Sequence, residues 1–396
     1  MSRRQAAATT LRFWLPAMAG MTCLGLSIGL VSMFGFFVPH LSREFGVGVA
    51  AINMAPVVFL LAPGLLSPFV GKLVDHRSIR GLMLLGSTVS MLSLFVLSQA
   101  TSLLVVCSAF LLFAVGLVFY GPLAVNSLMI KLYPAREARA LAVASLGISV
   151  SSITLPVAAG AVLQVLDWRS SLALLSLAML GVLWLWVLAV LPAGVVAQAT
   201  EPRESVGREI TGRAEFWLVG ALVAMALGVT LVLAICYPPL LVNRGFSPVQ
   251  AGLFLSVGGA AGFGGKLLIA AFADTARHRT RWIVVALLVI MLSGLLMLAT
   301  AVSTAVLIAS VALLGFSGGS FLPLHPYLNS RYFSPDIIGR VNGAQSPFFL
   351  PLGLTAPPLA GYVFDQTGSY ELVIQCLALL PLVSLGLLFA LPRPAR

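Results

Sequence analysis

The sequence predicts an all-α integral membrane protein with twelve transmembrane helices, arranged as two six-helix pseudo-repeat halves. Three observations lead to this prediction. Of the 396 residues, 60% are hydrophobic and only 9% are charged, whereas a soluble domain is roughly 25% charged. The apolar residues form twelve long runs, and about 20 such residues suffice to cross a bilayer. Similar short motifs also recur in the two halves of the chain.

Charged residues and Pro or Gly clusters bound the twelve predicted spans. The spans are 13–38, 49–71, 81–98, 103–130, 139–165, 170–191, 216–242, 249–273, 282–301, 303–329, 339–363 and 371–391. These solid apolar runs exclude a cytosolic enzyme, a secreted disulfide-bonded domain and a β-barrel, whose strands would alternate in polarity. The first run has 26 residues, too long for the ~7–15 apolar residues of a signal peptide, so we expect a retained span.

One long hydrophilic connection divides the spans into six and six. It covers residues 192–215 and carries several Arg and Glu residues. We therefore predict an N-terminal six-helix half at 1–191, a cytoplasmic central loop at 192–215 and a C-terminal six-helix half at 216–396. We see no catalytic chemistry in the loop.

The net charge of +11 reflects membrane topology. Nineteen of the 23 Lys and Arg residues lie in the N-terminal tail and the alternate segments that share its side, three lie in the opposite loops, and Lys266 lies inside a span. Basic residues concentrate on the cytoplasmic side of membrane proteins. We expect a multi-pass protein of the cytoplasmic (inner) membrane with both termini in the cytoplasm, and no nucleic-acid partner.

Several short motifs recur at an offset of about 200 residues. Asp75 with His76 and Arg77 corresponds to Asp274 with Arg277 and His278, and Arg139 corresponds to Arg340. Repeated halves are common in secondary transporters, which bind substrate near the bilayer midplane.

The loop between the second and third spans runs from Gly71 through Asp75 to Arg80. It resembles the signature loop of the major facilitator superfamily, Gly-x-x-x-Asp-basic-x-Gly-Arg-basic, although Ser78 and Ile79 depart from that pattern. The resemblance implies a conformational latch made by Gly71, Asp75 and Arg80, together with the repeat counterpart Asp274. Carboxylates and cations at helix ends can hold one conformation closed.

Further motifs resemble the group within this superfamily that contains monocarboxylate transporters and oxalate–formate exchangers. The motifs are Gly35-Phe36-Phe37-Val38-Pro39, Leu41-Ser42-Arg43-Glu44-Phe45-Gly46, Gly116 with Tyr120-Gly121-Pro122, Asp167-Trp168-Arg169, and the run from Tyr332-Phe333 through Gly339-Arg340 to Phe364-Asp365-Gln366-Thr367-Gly368-Ser369-Tyr370. The resemblance implies a carboxylate-binding cation in span eight and a substrate-contacting tyrosine in span four. Lys266 and Tyr120 occupy these positions.

Lys266 is the only Asp, Glu, Lys or Arg deep inside a predicted span. It precedes Asp274 by eight residues, which is about 12 Å at 1.5 Å per residue, close to the midplane of a ~30 Å core. A cation there costs roughly 2.5–3.5 kcal/mol, so we expect it to bind an anionic substrate. The alternative is that Lys266 snorkels to the interface along its flexible stem.

Other polar residues at similar depth are candidate substrate contacts. They are His325, Asn342 and Gln345, each of which could instead form hydrogen bonds between helices. His325 is the one further titratable candidate within the spans, but its neighbours Pro323 and Pro326 also suit a hydrogen bond at a helix bend. Dicarboxylate exchangers of the group that this chain resembles carry a second cation in span eleven. The corresponding stretch here, Gln345-Ser346-Pro347-Phe348-Phe349-Leu350-Pro351, has none, so a monoanion fits better than a dicarboxylate.

The sequence therefore predicts a secondary active transporter for a small organic anion, a monocarboxylate in particular. The alternative is a proton-coupled multidrug or amphiphile efflux transporter of the same superfamily. Such pumps often carry a Gly-Pro motif in span five and an acid within the membrane, and this chain has neither. An enzyme is disfavoured because the four His residues, at 40, 76, 278 and 325, form no cluster. A sensor is disfavoured because the loop that follows Pro192 is too short for a signalling domain. We expect a monomer in the lipid bilayer without cofactor or metal, and coupling to a co-transported or exchanged ion stays open.

Overall fold

The structure is a computed structural model that describes residues 3–28, 33, 36–46, 55–192, 205–301 and 303–393. Within these ranges the regular elements are helices. Parts of the predicted first and second spans (29–32, 34–35 and 49–54) and residues 193–204 of the predicted central loop lie outside the described residues.

Sixteen α-helices are described. They are α1 (Arg3–Ile28), α2 (Val38–Phe45), α3 (Ala55–His76), α4 (Ile79–Ser98), α5 (Leu103–Tyr120), α6 (Pro122–Leu132), α7 (Glu137–Leu163), α8 (Trp168–Val190), α9 (Ser205–Thr211), α10 (Ala214–Asn243), α11 (Pro248–Phe272), α12 (Thr280–Ala299), α13 (Thr304–Tyr332), α14 (Ile338–Gln345), α15 (Leu350–Thr367) and α16 (Glu371–Ala390).

Ten segments of the described chain are long and apolar enough to cross a membrane. They coincide with predicted spans three to twelve. The first predicted span falls on α1, whose apolar part Phe13–Ile28 is shorter, and the second falls largely on α3. The prediction of an all-α membrane protein is confirmed.

Two predicted spans are interrupted where proline removes a backbone donor. Predicted span four is divided at Gly121, between α5 and α6, and Pro122 begins the second helix. Predicted span eleven is divided into α14, a 3₁₀ turn at Ser346–Phe349 and α15, with Pro347 and Pro351 at the break. Proline cannot donate the backbone hydrogen bond of a helix interior, but it is tolerated in the first turn. Each break therefore falls at a proline.

The chain forms two compact units. Unit 1 contains Met1–Pro134, Val143–Glu201 and Ser334–Ser346, and unit 2 contains Ala135–Ala142, Pro202–Phe333 and Pro347–Arg396. The start of α7 thus belongs to unit 2, and the whole of α14 belongs to unit 1. The predicted division of the chain at 192–215 stays a prediction, since much of that loop lies outside the described residues.

Unit 1 is held together by close helix approaches. In the α4–α5 pair, a Cβ on Gly86 would lie 2.6 Å from the carbonyl oxygen of Gly116. Helix α8 also packs against α4, and α3 packs against both α5 and α14. Small residues let membrane helices approach closely, and this packing replaces the hydrophobic driving force that lipid does not supply.

In unit 2 the closest pair is α11 with α13. Gly258 and Gly262 of α11 face Gly315 and Gly319 of α13, and a Cβ on Gly315 would overlap the carbonyl oxygen of Gly258. Helix α12 packs against α13 and α16, and α10 packs against α13, α15 and α16. The glycines therefore fix the distance between the helix that carries Lys266 and the helix that carries His325.

Replacing Gly315 with alanine is expected to lower the melting temperature of the purified protein. The added methyl group must push α11 and α13 apart, and overpacking of this kind costs about 1–3 kcal/mol. The matched control is Gly259→Ala, one residue from Gly258 on α11, where nothing lies within 4 Å of the added Cβ. Thermal unfolding in detergent compares the two variants, and equal melting temperatures would contradict the close approach.

Candidate functional site

Lys266 lies on α11 and is almost completely buried, with 4% of its surface exposed. Ile269 and Ala273, which follow it at helical spacing, are also buried, whereas Leu267 on the next face is 45% exposed. Lys266 therefore lies on the buried side of α11, whereas Leu267 lies on its exposed side. Helices α11, α12 and α13 contain no Asp or Glu.

His325 lies on α13, the helix packed against α11. Gly265, the residue next to Lys266, makes the same kind of close approach as Gly315, because a Cβ on Gly265 would overlap the carbonyl oxygen of Phe316. The Nε2 atom of His325 is 3.3 Å from Nδ2 of Asn329, and its ring meets that of Phe349 edge to face at 5.6 Å. The structure thus brings Lys266 and His325 onto two packed helices of unit 2.

The other three predicted substrate contacts lie in unit 1. Tyr120 is completely buried at the end of α5, and its hydroxyl donates to the carbonyl oxygen of Leu26 over 3.3 Å. Asn342 and Gln345 are buried on α14, which packs against α3. Their roles in substrate binding stay predictions, as does that of Lys266.

Asp75 caps a helix that is distant in sequence. Its side chain is fully buried, and its two carboxylate oxygens accept hydrogen bonds from the backbone N–H groups of Gly339 (3.0 Å) and Arg340 (2.8 Å). These are the second and third residues of α14, whose N–H groups have no partner within the helix. The ammonium group of Lys131 lies 3.3 Å from Oδ1. All four residues belong to unit 1.

Asp274 makes the equivalent cap in unit 2. Its two oxygens accept hydrogen bonds from the N–H groups of Ala138 and Arg139, both at 2.9 Å, the second and third residues of α7. The guanidinium of Arg139 also donates to the carbonyl oxygen of Ala270 at 3.0 Å. Burial raises the pKa of the Asp274 carboxyl, and the two amide hydrogen bonds oppose that shift. Two pairs that the repeat aligned, Asp75 with Asp274 and Arg340 with Arg139, thus occupy equivalent positions.

Gly71 and Arg80, the other predicted latch residues, have different neighbours. A Cβ on Gly71 would overlap the carbonyl oxygen of Gly339, so this glycine permits α3 to approach the helix that Asp75 caps. The guanidinium of Arg80 donates to the carbonyl oxygen of Leu188 at 2.9 Å, near the end of α8. Arg80 therefore satisfies the C-terminal end of another helix, where a cation is favourable.

Sequence reasoning did not identify the charged partners of Asp75. Lys131 was assigned only to membrane topology, and Arg340 only to a motif and to the repeat. The ion pair of Glu137 with Arg277, at 3.6 Å, was also missed. The offset of about 200 residues was the available signal, because it aligned Arg340 with Arg139.

The fold and these sites define a membrane transporter built from helical repeats. Residues 20–354 match the family model of the Major Facilitator Superfamily. The chain belongs to this superfamily and is a multi-pass secondary transporter rather than an enzyme.

Curated relatives agree with the predicted group. The chain is 25% identical to human monocarboxylate transporter 11 over 384 residues, which are 90% of this chain and 78% of that protein. It is 25% identical to the mouse protein of the same name over 383 residues, 90% and 82% of the two chains. An MFS-type transporter of Gibberella moniliformis is 23% identical over 349 residues, 83% and 79% of the two chains.

Solved structures show the same fold at low sequence identity. The human organic anion transporter MFSD10 (TETRAN) has a TM-score of 0.71 and 15% identity, covering 98% of this chain and 100% of that one. The proton:xylose symporter XylE has a TM-score of 0.74 and 14% identity, covering 98% and 96%. A single-residue variant of the Escherichia coli fucose:proton symporter FucP has a TM-score of 0.71 and 17% identity, covering 96% and 97%.

Proposed function

We propose that this transporter moves a small organic monocarboxylate across the cytoplasmic (inner) membrane by alternating access, with both termini in the cytoplasm. The names of the human and mouse relatives support the substrate class. The excess of Lys and Arg on the N-terminal side supports the orientation.

The observation that carries the proposal is the buried position of Lys266 on a membrane-crossing helix. Placing a cation in the hydrocarbon region costs roughly 2.5–3.5 kcal/mol, and such residues commonly serve substrate or ion binding. A carboxylate is the natural counter-ion, since it accepts charge-assisted hydrogen bonds from an ammonium group. Lysine presents a point charge rather than the planar fork of arginine, so we expect modest discrimination among monocarboxylates of different shape.

Tyr120, Asn342 and Gln345 supply neutral hydrogen-bonding groups in this proposal, and His325 supplies one that can change protonation. A single cation with neutral partners balances one negative charge. A dicarboxylate would leave its second charge uncompensated in a low-dielectric environment, which is strongly unfavourable.

Asp75 and Asp274 act as the conformational latch. Each carboxylate holds the start of a helix that comes from the other half of the sequence, through two amide hydrogen bonds. Making and breaking these caps gives the chain a two-state element of the kind that alternating access requires.

Flux into proteoliposomes tests the function directly. A panel of labelled acetate, lactate, pyruvate and oxalate is offered with and without a pH gradient and with and without internal substrate. We expect saturable flux of one or more monocarboxylates and little flux of oxalate. Stimulation by the pH gradient would indicate proton coupling and make His325 the candidate proton-binding residue. Dependence on internal substrate would indicate exchange of one acid for another.

The alternative, efflux of amphiphilic drugs, predicts the opposite pattern. An efflux pump would extrude a cationic dye and raise drug tolerance on expression, without saturable carboxylate flux. That combination would overturn the proposed substrate class.

A further inference from the structure

Unit 2 contains a strongly basic cavity that Lys266 does not line. It has a volume of about 660 Å³ and lies where the start of α12 meets the ends of α13 and α16. Four arginines line it, namely Arg277, Arg281, Arg331 and Arg393. This volume is within the range of ligand pockets.

Positive charge is in excess in this cavity. No Asp or Glu is among the described residues that line it. Glu137 pairs with Arg277 at 3.6 Å and also attracts the charge of Arg331, so one carboxylate faces two of the four arginines. Arg281 donates to the carbonyl oxygen of Phe389 at 2.9 Å, a neutral acceptor. Positive charge therefore remains in excess on Arg281, Arg331 and Arg393.

Two of these guanidinium groups also retain a buried donor. Among the described residues, the Nε atoms of Arg281 and Arg331 are buried and have no hydrogen-bond partner. A buried donor without an acceptor costs about 1–3 kcal/mol, so an anion with several acceptor oxygens would relieve both. Phosphate has that chemistry and is bound well by arginine.

Two exposed aromatic side chains line the cavity. Trp282 is 64% exposed and Phe389 is 59% exposed, and they lie near the ends of the packed helices α12 and α16. Tryptophan is enriched at the boundary between the bilayer and water. From these two residues, stripes of exposed apolar side chains run along the helices, Trp282, Val289 and Leu296 on α12 and Phe389, Leu382 and Leu379 on α16.

We propose that this arginine cavity binds the phosphate group of an anionic phospholipid, with the acyl chains lying along the exposed stripes of α12 and α16. Basic pockets between transmembrane helices on the cytoplasmic side bind such headgroups, and the distribution of Lys and Arg predicts that side here. The shared chemistry is a phosphate anion, which a soluble glycerol phosphate would also present, and the test separates the two sources.

The test titrates the purified full-length protein in detergent with phosphatidylglycerol, phosphatidylcholine or glycerol phosphate and counts bound molecules by native mass spectrometry. We expect phosphatidylglycerol to bind more tightly than phosphatidylcholine. The double variant Arg281→Ala with Arg331→Ala should bind phosphatidylglycerol about 25-fold more weakly, from about fivefold for each arginine near a phosphate. Arg279→Ala, on the adjacent turn but outside the cavity, should bind as the wild type does.

Arg393→Gln keeps the test decisive if the double variant does not fold. This arginine is exposed near the end of the chain, so its replacement should leave folding intact and weaken phosphatidylglycerol binding about fivefold. Competition by glycerol phosphate would assign the site to a soluble anion rather than a lipid. Equal binding of both phospholipids, or equal losses in Arg279→Ala and the cavity variants, would overturn the proposal.

Discussion

Replacing Lys266 with alanine is expected to abolish saturable monocarboxylate flux while the protein still inserts, folds and purifies as a single species. The ammonium group is the one charge buried on α11, and a charge-assisted hydrogen bond is worth about 1.5–3 kcal/mol. At the upper end of that range the loss of kcat/KM is about 150-fold, which brings flux close to the background of empty liposomes. Uptake kinetics in proteoliposomes measure this loss.

Two control variants test whether the loss of flux depends on the charge at position 266. Lys266→Arg keeps the charge and should retain measurable flux with an altered preference among acids, since arginine binds carboxylates through a planar fork. Lys72→Ala removes an exposed lysine and should leave flux unchanged. Normal flux in Lys266→Ala would rule out Lys266 as the carboxylate-binding residue, and a snorkelling role would then explain its position.

Replacing Asp75 with alanine is expected to cause a larger loss of stability than the removal of an ordinary exposed helix cap. The change leaves the N–H groups of Gly339 and Arg340 without their acceptor and leaves the ammonium group of Lys131, 3.3 Å away, without its counter-charge. Removing one partner of a buried ion pair costs about 3–5 kcal/mol. We expect a clearly lower melting temperature in detergent and reduced flux.

Asp167 provides the matched control for this experiment. It also caps a helix, accepting from the N–H groups of Arg169 (3.0 Å) and Ser170 (3.3 Å) at the start of α8, but it is exposed. Asp167→Ala should cost only the ~0.5–2 kcal/mol of an ordinary N-cap. If the two variants melted at the same temperature, the buried network around Asp75 would contribute no more than a surface cap.

Much of the fold follows from local features of the sequence. The ten apolar segments are recognisable because lipid requires long uncharged runs, and Lys266 is conspicuous because its neighbours carry no charge. The breaks at Pro122 and Pro347 could also be anticipated, although the predicted spans ran across both. Each depends on residues close together in the chain.

Contacts between residues that are far apart in the chain could not be predicted in the same way. Nothing local to Asp75 indicates that it caps a helix that starts at Ile338, and only the repeat suggested that Arg139 and Arg340 are equivalent. The role of Arg80 in the latch stays a prediction, and its hydrogen bond to Leu188 depends on how α8 packs, which no neighbouring residue indicates. The arginine cavity could not be predicted either, because its lining residues come from the ends of three helices that are far apart in the sequence.

In the proposed mechanism, Lys266 recognises the negative charge of the transported acid. Equilibrium binding of the best-transported acid and of its neutral primary amide, each to the wild type and to Lys266→Gln, isolates that interaction as a double cycle. We predict that the wild type prefers the acid by about 30-fold or more, as expected for a charge-assisted contact of about 2 kcal/mol, and that Lys266→Gln binds both compounds with similar affinity. An undiminished preference for the acid in Lys266→Gln would contradict this role of Lys266.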